Sequence, residues 1–151
     1  MTSFDKLYKF IRICVGDQKP AFDVSGNPVY RFCEDDIDTA IEFVIQEHFP
    51  SYSVATPEGS EIEAIEPDIT GNDKLLLIYR VAVELLAPID AVSVRTPMAS
   101  FIRKGEGQQR QIERLEEKII RLEGGGQMAV YTDSDITAML EHSSRLSDEL
   151  N

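Results

Sequence analysis

The stretch Asn72-Asp73-Lys74-Leu75-Leu76-Leu77-Ile78-Tyr79-Arg80-Val81-Ala82-Val83-Glu84-Leu85-Leu86 decides the fold. It opens on two good helix-capping residues. Its apolar side chains fall on nearly every side of a helix, and Pro88 bars continuation. A helix apolar all round belongs in the middle of a core. The pattern therefore predicts a central buried helix, with Arg80 and Glu84 four apart and able to pair. The run is too short to cross a bilayer, and its two charges interrupt it.

Upstream, Phe4, Leu7, Tyr8, Ile11 and Val15 recur at helical spacing and predict a first helix over residues 3–15. Thr2 and Asp5 have the spacing of a capping box, and Gly16 supplies a stop. Ser25-Gly26-Asn27-Pro28 marks a turn within 17–33, and Val29-Tyr30-Arg31-Phe32 is extended at best. The acids of Glu34-Asp35-Asp36 suit the positive end of a second helix. Ile37, Ala40, Ile41, Val44 and His48 lie on its one face, and Pro50 ends it. Residues 51–71 are an acidic irregular stretch in which Tyr52, Val54 and Glu61-Ile62-Glu63-Ala64 flank the turn Pro57-Glu58-Gly59, as in a short hairpin.

Downstream, Pro88, Pro97, Gly105 and Gly107 make 88–104 a connector with little regular helix. Ile112, Leu115, Ile119 and Leu122 then step by 3, 4 and 3 along a fourth helix, over residues 108–123. Gly124-Gly125-Gly126 is a break. Beyond it Thr132 and Asp135 repeat the capping pattern ahead of Ile136, Met139, Leu140 and Leu146. The expected class is mainly α: a small helical bundle with a long loop or short hairpin and a C-terminal arm. Residues 1–126 form the bundle and 127–151 the arm, whose apolar face needs something to dock on.

The chain has 151 residues, enough for one core. Its 15 basic and 27 acidic residues give a net charge of −12. Nucleic-acid and membrane-surface binders carry the opposite sign. Residues 103–123 are the basic exception, with six basic and five acidic residues. They read as a solvated or intersubunit salt-bridge face, with a DNA contact as the rival. Cys14 and Cys33 form no CxxC and read as reduced, at least partly buried side chains, with a disulfide between them the alternative. The first residues lack a signal-peptide pattern.

Nothing predicts catalysis, a metal or a cofactor. His48 reads as a helix-end histidine and His142 as a surface one. The EF-hand count from Asp36 puts Ile41 where glycine is needed, so the run reads as a helix start. The acids of 58–68 read as a solvated loop.

The order of elements resembles the head–tail connector (neck adaptor, or head-completion) proteins of tailed bacteriophages. The resemblance is carried by Arg12-Ile13-Cys14-Val15-Gly16-Asp17, Tyr30-Arg31-Phe32-Cys33 and Glu34-Asp35-Asp36-Ile37-Asp38. It continues through Glu66-Pro67-Asp68-Ile69, Leu77-Ile78-Tyr79-Arg80-Val81-Ala82, Val92-Ser93-Val94-Arg95, Gly105-Glu106-Gly107 and Arg121-Leu122-Glu123-Gly124-Gly125. It covers residues 4–126; the acidic stretch 51–71 departs from it. It implies a ring subunit, commonly of twelve copies, between the portal protein and a tail-side neck protein. Such a subunit is made in the host cytoplasm and ends at the virion's head–tail junction. DNA passes through the ring without specific binding. Twelve copies would carry about −144, a wall that does not hold sliding DNA. The resemblance also implies subunit or portal contacts from the fourth helix and arm, with Arg110, Ile112, Leu115, Ile119, Leu122, Ile136, Met139 and Leu140 as the interface candidates. The alternative is a small cytosolic helical adaptor or regulator acting through protein–protein binding.

Overall fold

The computed structural model describes the backbone of residues 1–87, 98–124 and 133–149, and the side chains of 1–87, 109–124 and 134–142. The chain is mainly helical. In order it forms β1 (Thr2–Ser3), α1 (Asp5–Val15), β2 (Ala21–Phe22), β3 (Pro28–Val29), α2 (Glu34–His48), β4 (Ser53–Ala55), β5 (Ala64–Glu66), α3 (Gly71–Leu86), α4 (Met98–Gly124) and α5 (Asp133–Glu149).

Helix α3 is the hub that its apolar sequence predicts. It packs on α1, α2 and α4. Leu77, Ile78, Val81 and Ala82 lose all contact with solvent. Burying a side chain the size of Leu77 stabilises by ~1.5–3 kcal/mol relative to exposure, an upper bound because unfolded chains already bury some area. The helix starts after Thr70, two residues before the expected Asn72-Asp73 cap, and the Thr70 hydroxyl makes no cap bond. Arg80 does not pair with Glu84. It reaches Glu123 and ties α3 to α4. Glu84 is half-buried, and burial raises its pKa.

Helix α1 ends as expected. Gly16 is left-handed at φ 74°, and the N–H groups of Gly16 and Asp17 donate to Ile13 and Arg12 carbonyls. Its start differs. Thr2 does not cap α1, because residues 2–3 are drawn into a sheet of order β1-β5-β4, with Thr2 opposite Ile65. The Thr2 hydroxyl donates to Asp68 and accepts the Ile69 N–H, pinning the chain between β5 and α3. The acidic stretch does form a hairpin, with Val54 opposite Ile65, but its second strand is Ala64–Glu66 rather than the alternating 61–64.

Helix α2 is capped by Cys33, with the Asp36 carboxylate accepting the Cys33 N–H. Ile45 takes the buried place on this face and His48 is exposed, since the helix ends there. Helix α4 begins at Met98, earlier than expected, so Gly105 and Gly107 lie inside it. Its hydrogen-bond ladder carries the two glycines, each at a propensity cost of ~1 kcal/mol. The rest of the expected connector, 88–97, lies outside the described residues, as do Gly125, Gly126 and Thr132. Helix α5 lies on α1: Ile136 and Leu140 join the core, and Lys9 pairs with Glu141 at 3.1 Å. The C-terminal segment thus docks on its own chain. No described helix is long and apolar enough to cross a membrane.

Candidate functional site

The interface candidates separate into two groups. Ile112, Leu115 and Ile119 are buried, and Leu122 half-buried, against α3. Ile136 and Leu140 are buried beside α1. These side chains are covered within the chain and present no free apolar seam. The reason is α3: a helix apolar on every side needs neighbours all round, and the stripe of α4 supplies one. Arg110 is exposed, and Met139 is 39% exposed.

The most ordered polar chemistry lies at the end of α1. Arg12 and Asp17 form a buried ion pair at 2.9 Å. The Asp17 carboxylate also accepts the N–H groups of Arg31 (2.9 Å) and Phe32 (3.0 Å). Arg12 donates to the Phe32 carbonyl at 2.9 Å, and its guanidinium lies 3.9 Å from the Tyr30 ring centre. Each charge is paired and hydrogen-bonded, the condition under which buried charges are tolerated. The segments Arg12–Asp17 and Tyr30–Cys33, quoted above for the resemblance, meet in this knot.

Between the knot's two strands of chain projects a finger. Every residue from Ala21 to Val29 is exposed. Phe22 is 69% exposed, Val29 49%, and Val24 fully so. The finger is nevertheless shaped. The Asp23 carboxylate accepts the N–H groups of Ser25 and Asn27 at 2.9 Å. The Asp23 N–H donates to the Asn27 carbonyl, and Gly26 to the Asp23 carbonyl, both at 3.0 Å. The N–H groups donated to it, that of Asn27 first, hold the Asp23 carboxyl below its usual pKa. Gly26 takes φ 82°, open to glycine at little strain. A fixed turn carrying exposed apolar side chains loses little entropy on binding, as a protein-docking element requires. The turn at Ser25-Gly26-Asn27-Pro28 is the one the sequence marks; the exposed apolar display around it is not. Its signal was three large apolar residues around an Asp-Val-Ser-Gly-Asn turn, in a stretch with no helical period.

The acids gather elsewhere. Glu58 and Glu61 are exposed in the β4–β5 turn, with Ile62 44% exposed beside them. Glu63 lies against Glu42, and their shared hydrogen bond, then burial, raises its pKa. Tyr8 donates to Asp38 at 2.7 Å; burial and that carboxylate raise the phenol's pKa, and burial raises that of Asp38. Among the described residues no group of three His, Cys, Asp or Glu side chains is placed to hold a metal. Both cysteines are free thiols. Burial pushes Cys14 up to about 12, whereas Cys33 is exposed, contrary to expectation, because it caps the solvent end of α2. Comparison with family models, curated proteins and solved structures gave no match.

Proposed function

We propose that this protein is a structural subunit of a tailed-phage neck, joining the portal to the tail in a ring through which DNA passes, and acting by binding rather than by chemistry. The observation that supports it most is the finger: a turn fixed by Asp23 that holds Phe22, Val24 and Val29 out in water. Such exposure costs about 25 cal/mol per Å² of apolar surface and is recovered when a partner covers it. The knot beneath gives the finger a rigid base. It is built from the segments that carry the resemblance to neck adaptors, and that resemblance supplies the class of partner. The net charge of −12 suits a channel wall past which DNA slides.

Immunogold labelling of purified virus particles from the source, with antibody to this chain, tests the proposal. Label concentrated at the head–tail junction is the expected result. Absence of the chain from denatured particles, with recovery in cytosolic complexes, would replace it with a small helical adaptor.

A further inference from the structure

Helices α4 and α5 follow one another in the chain but make no substantial contact with each other among the described residues. Consecutive elements usually lie side by side. Here α4 packs on α3, whereas α5 packs on α1, near the opposite end of the sequence. The α5 seam is narrow. Among the described side chains of α5, Ile136 and Leu140 are buried, while Ser134, Asp135, Ala138, Met139 and His142 are exposed. At its edge lies one ion pair open to solvent, Lys9 with Glu141 at 3.1 Å. Helix α4 ends at Gly124, the first of three glycines in the sequence, and α5 begins at Asp133. Glycine takes backbone conformations closed to other residues. A chain the length of residues 125–132 spans at most roughly 29 Å, more than two helix diameters.

We infer that α5 exchanges between copies: the α5 of one chain docks on α1 of a second copy, through the contact it makes within its own chain. That contact identifies the occupant. A helix leaving α1 uncovers Ile136, Leu140 and the α1 face beneath them, and a second copy carries the surface that matches each. Exchange remakes the same buried side chains and the same Lys9–Glu141 pair. Only the path of the connecting chain changes. An element held by a small seam opens at lower cost than the core, and exchange of identical elements is a low-cost route to assembly. Helix α5 and the α1 face are different surfaces, so each copy gives one and receives one. That head-to-tail pattern closes rings when its rotation permits, and in this the inference rests on the ring reading proposed above.

Zero-length cross-linking tests the exchange in the full chain. Equal amounts of isotopically light and heavy protein are held together at high concentration, and gel filtration separates monomer from oligomer. A carbodiimide then joins Lys9 to Glu141 where they touch, and mass spectrometry reads each linked peptide pair as same-label or mixed-label. The expected result is mixed-label pairs in the oligomer, at a level comparable to same-label pairs, and same-label pairs alone in the monomer. Mixing a Lys9→Arg chain with a Glu141→Gln chain, neither able to form the link by itself, gives the link in the oligomer. Both are surface changes that leave melting near the wild type. A chain monomeric at every concentration reached, or an oligomer holding only same-label pairs, would overturn the inference. Particle labelling reads the neck role separately, so either idea can fail alone.

Discussion

The loop between α1 and α2 holds two regions of opposite character. Its base, Asp17 with Tyr30 to Phe32, is knotted to Arg12 through bonds of 2.9–3.0 Å. Its tip, Ala21 to Val29, touches water at every residue. Both are ordered by one aspartate accepting two backbone N–H groups: Asp17 at the base, Asp23 at the tip. The difference is what surrounds them. A carboxylate buried beside a guanidinium fixes the fold. One in solvent fixes only a local shape, and the apolar side chains it displays stay in water.

The core extends the first half of this contrast and gives the largest expected effect. Leu115→Asp with Ile119→Asp places two unpaired charges against α3, each costing several kcal/mol. The cooperative thermal transition disappears; a double variant that melts normally would show the seam of α4 to be loosely held. Next comes Asp17→Ala, which strands Arg12 and two backbone N–H groups. It costs ~3–5 kcal/mol, read as a lower urea midpoint. A loss below ~1 kcal/mol would show that the knot does not hold the loop, since exposed pairs give no more.

At the tip, Phe22→Ser with Val24→Ser leaves stability within ~0.5 kcal/mol, as for other surface changes. On the neck role proposed above, it abolishes binding in a pull-down with assembled neck components. The smallest effect is at Glu63. Its pKa is raised by contact with Glu42, so the folded state holds this proton more tightly than the unfolded chain. The ionised pair destabilises above the folded pKa, and that cost fades as pH falls through it. Glu63→Gln therefore raises the unfolding free energy at neutral pH by less than ~1 kcal/mol after solvent screening, read as a higher melting temperature. The gain vanishes below the ordinary value of 4.5. An equal gain at low pH would exclude charge as its cause.

The helices were legible because their cause is local. The all-round apolar run Leu75–Leu86 names a central helix, and the 3-4-3 steps of Ile112 to Leu122 name a buried face. What the period leaves open is which body covers that face. The α4 stripe fits an intersubunit seam and the flank of α3 equally well, and only the packed chain assigns it to α3. Met98–Gly107 was hidden by two glycines, which are poor helix formers. Thr2 looked like a cap because the pull of a strand 62 residues later is not a local signal. The two halves of the knot, Arg12–Asp17 and Tyr30–Cys33, stand apart in the chain, and no local pattern links them. The finger has too few residues per strand for alternation to show.

The contrast between base and tip is tested most directly by comparing incorporation of the wild type and the Phe22→Ser, Val24→Ser chain into assembling virus particles, with both melting curves measured alongside. Superimposable melting and a finger variant missing from the purified particles are the expected result. A stable finger variant incorporated at the wild-type level would contradict it and move the docking surface elsewhere on the molecule.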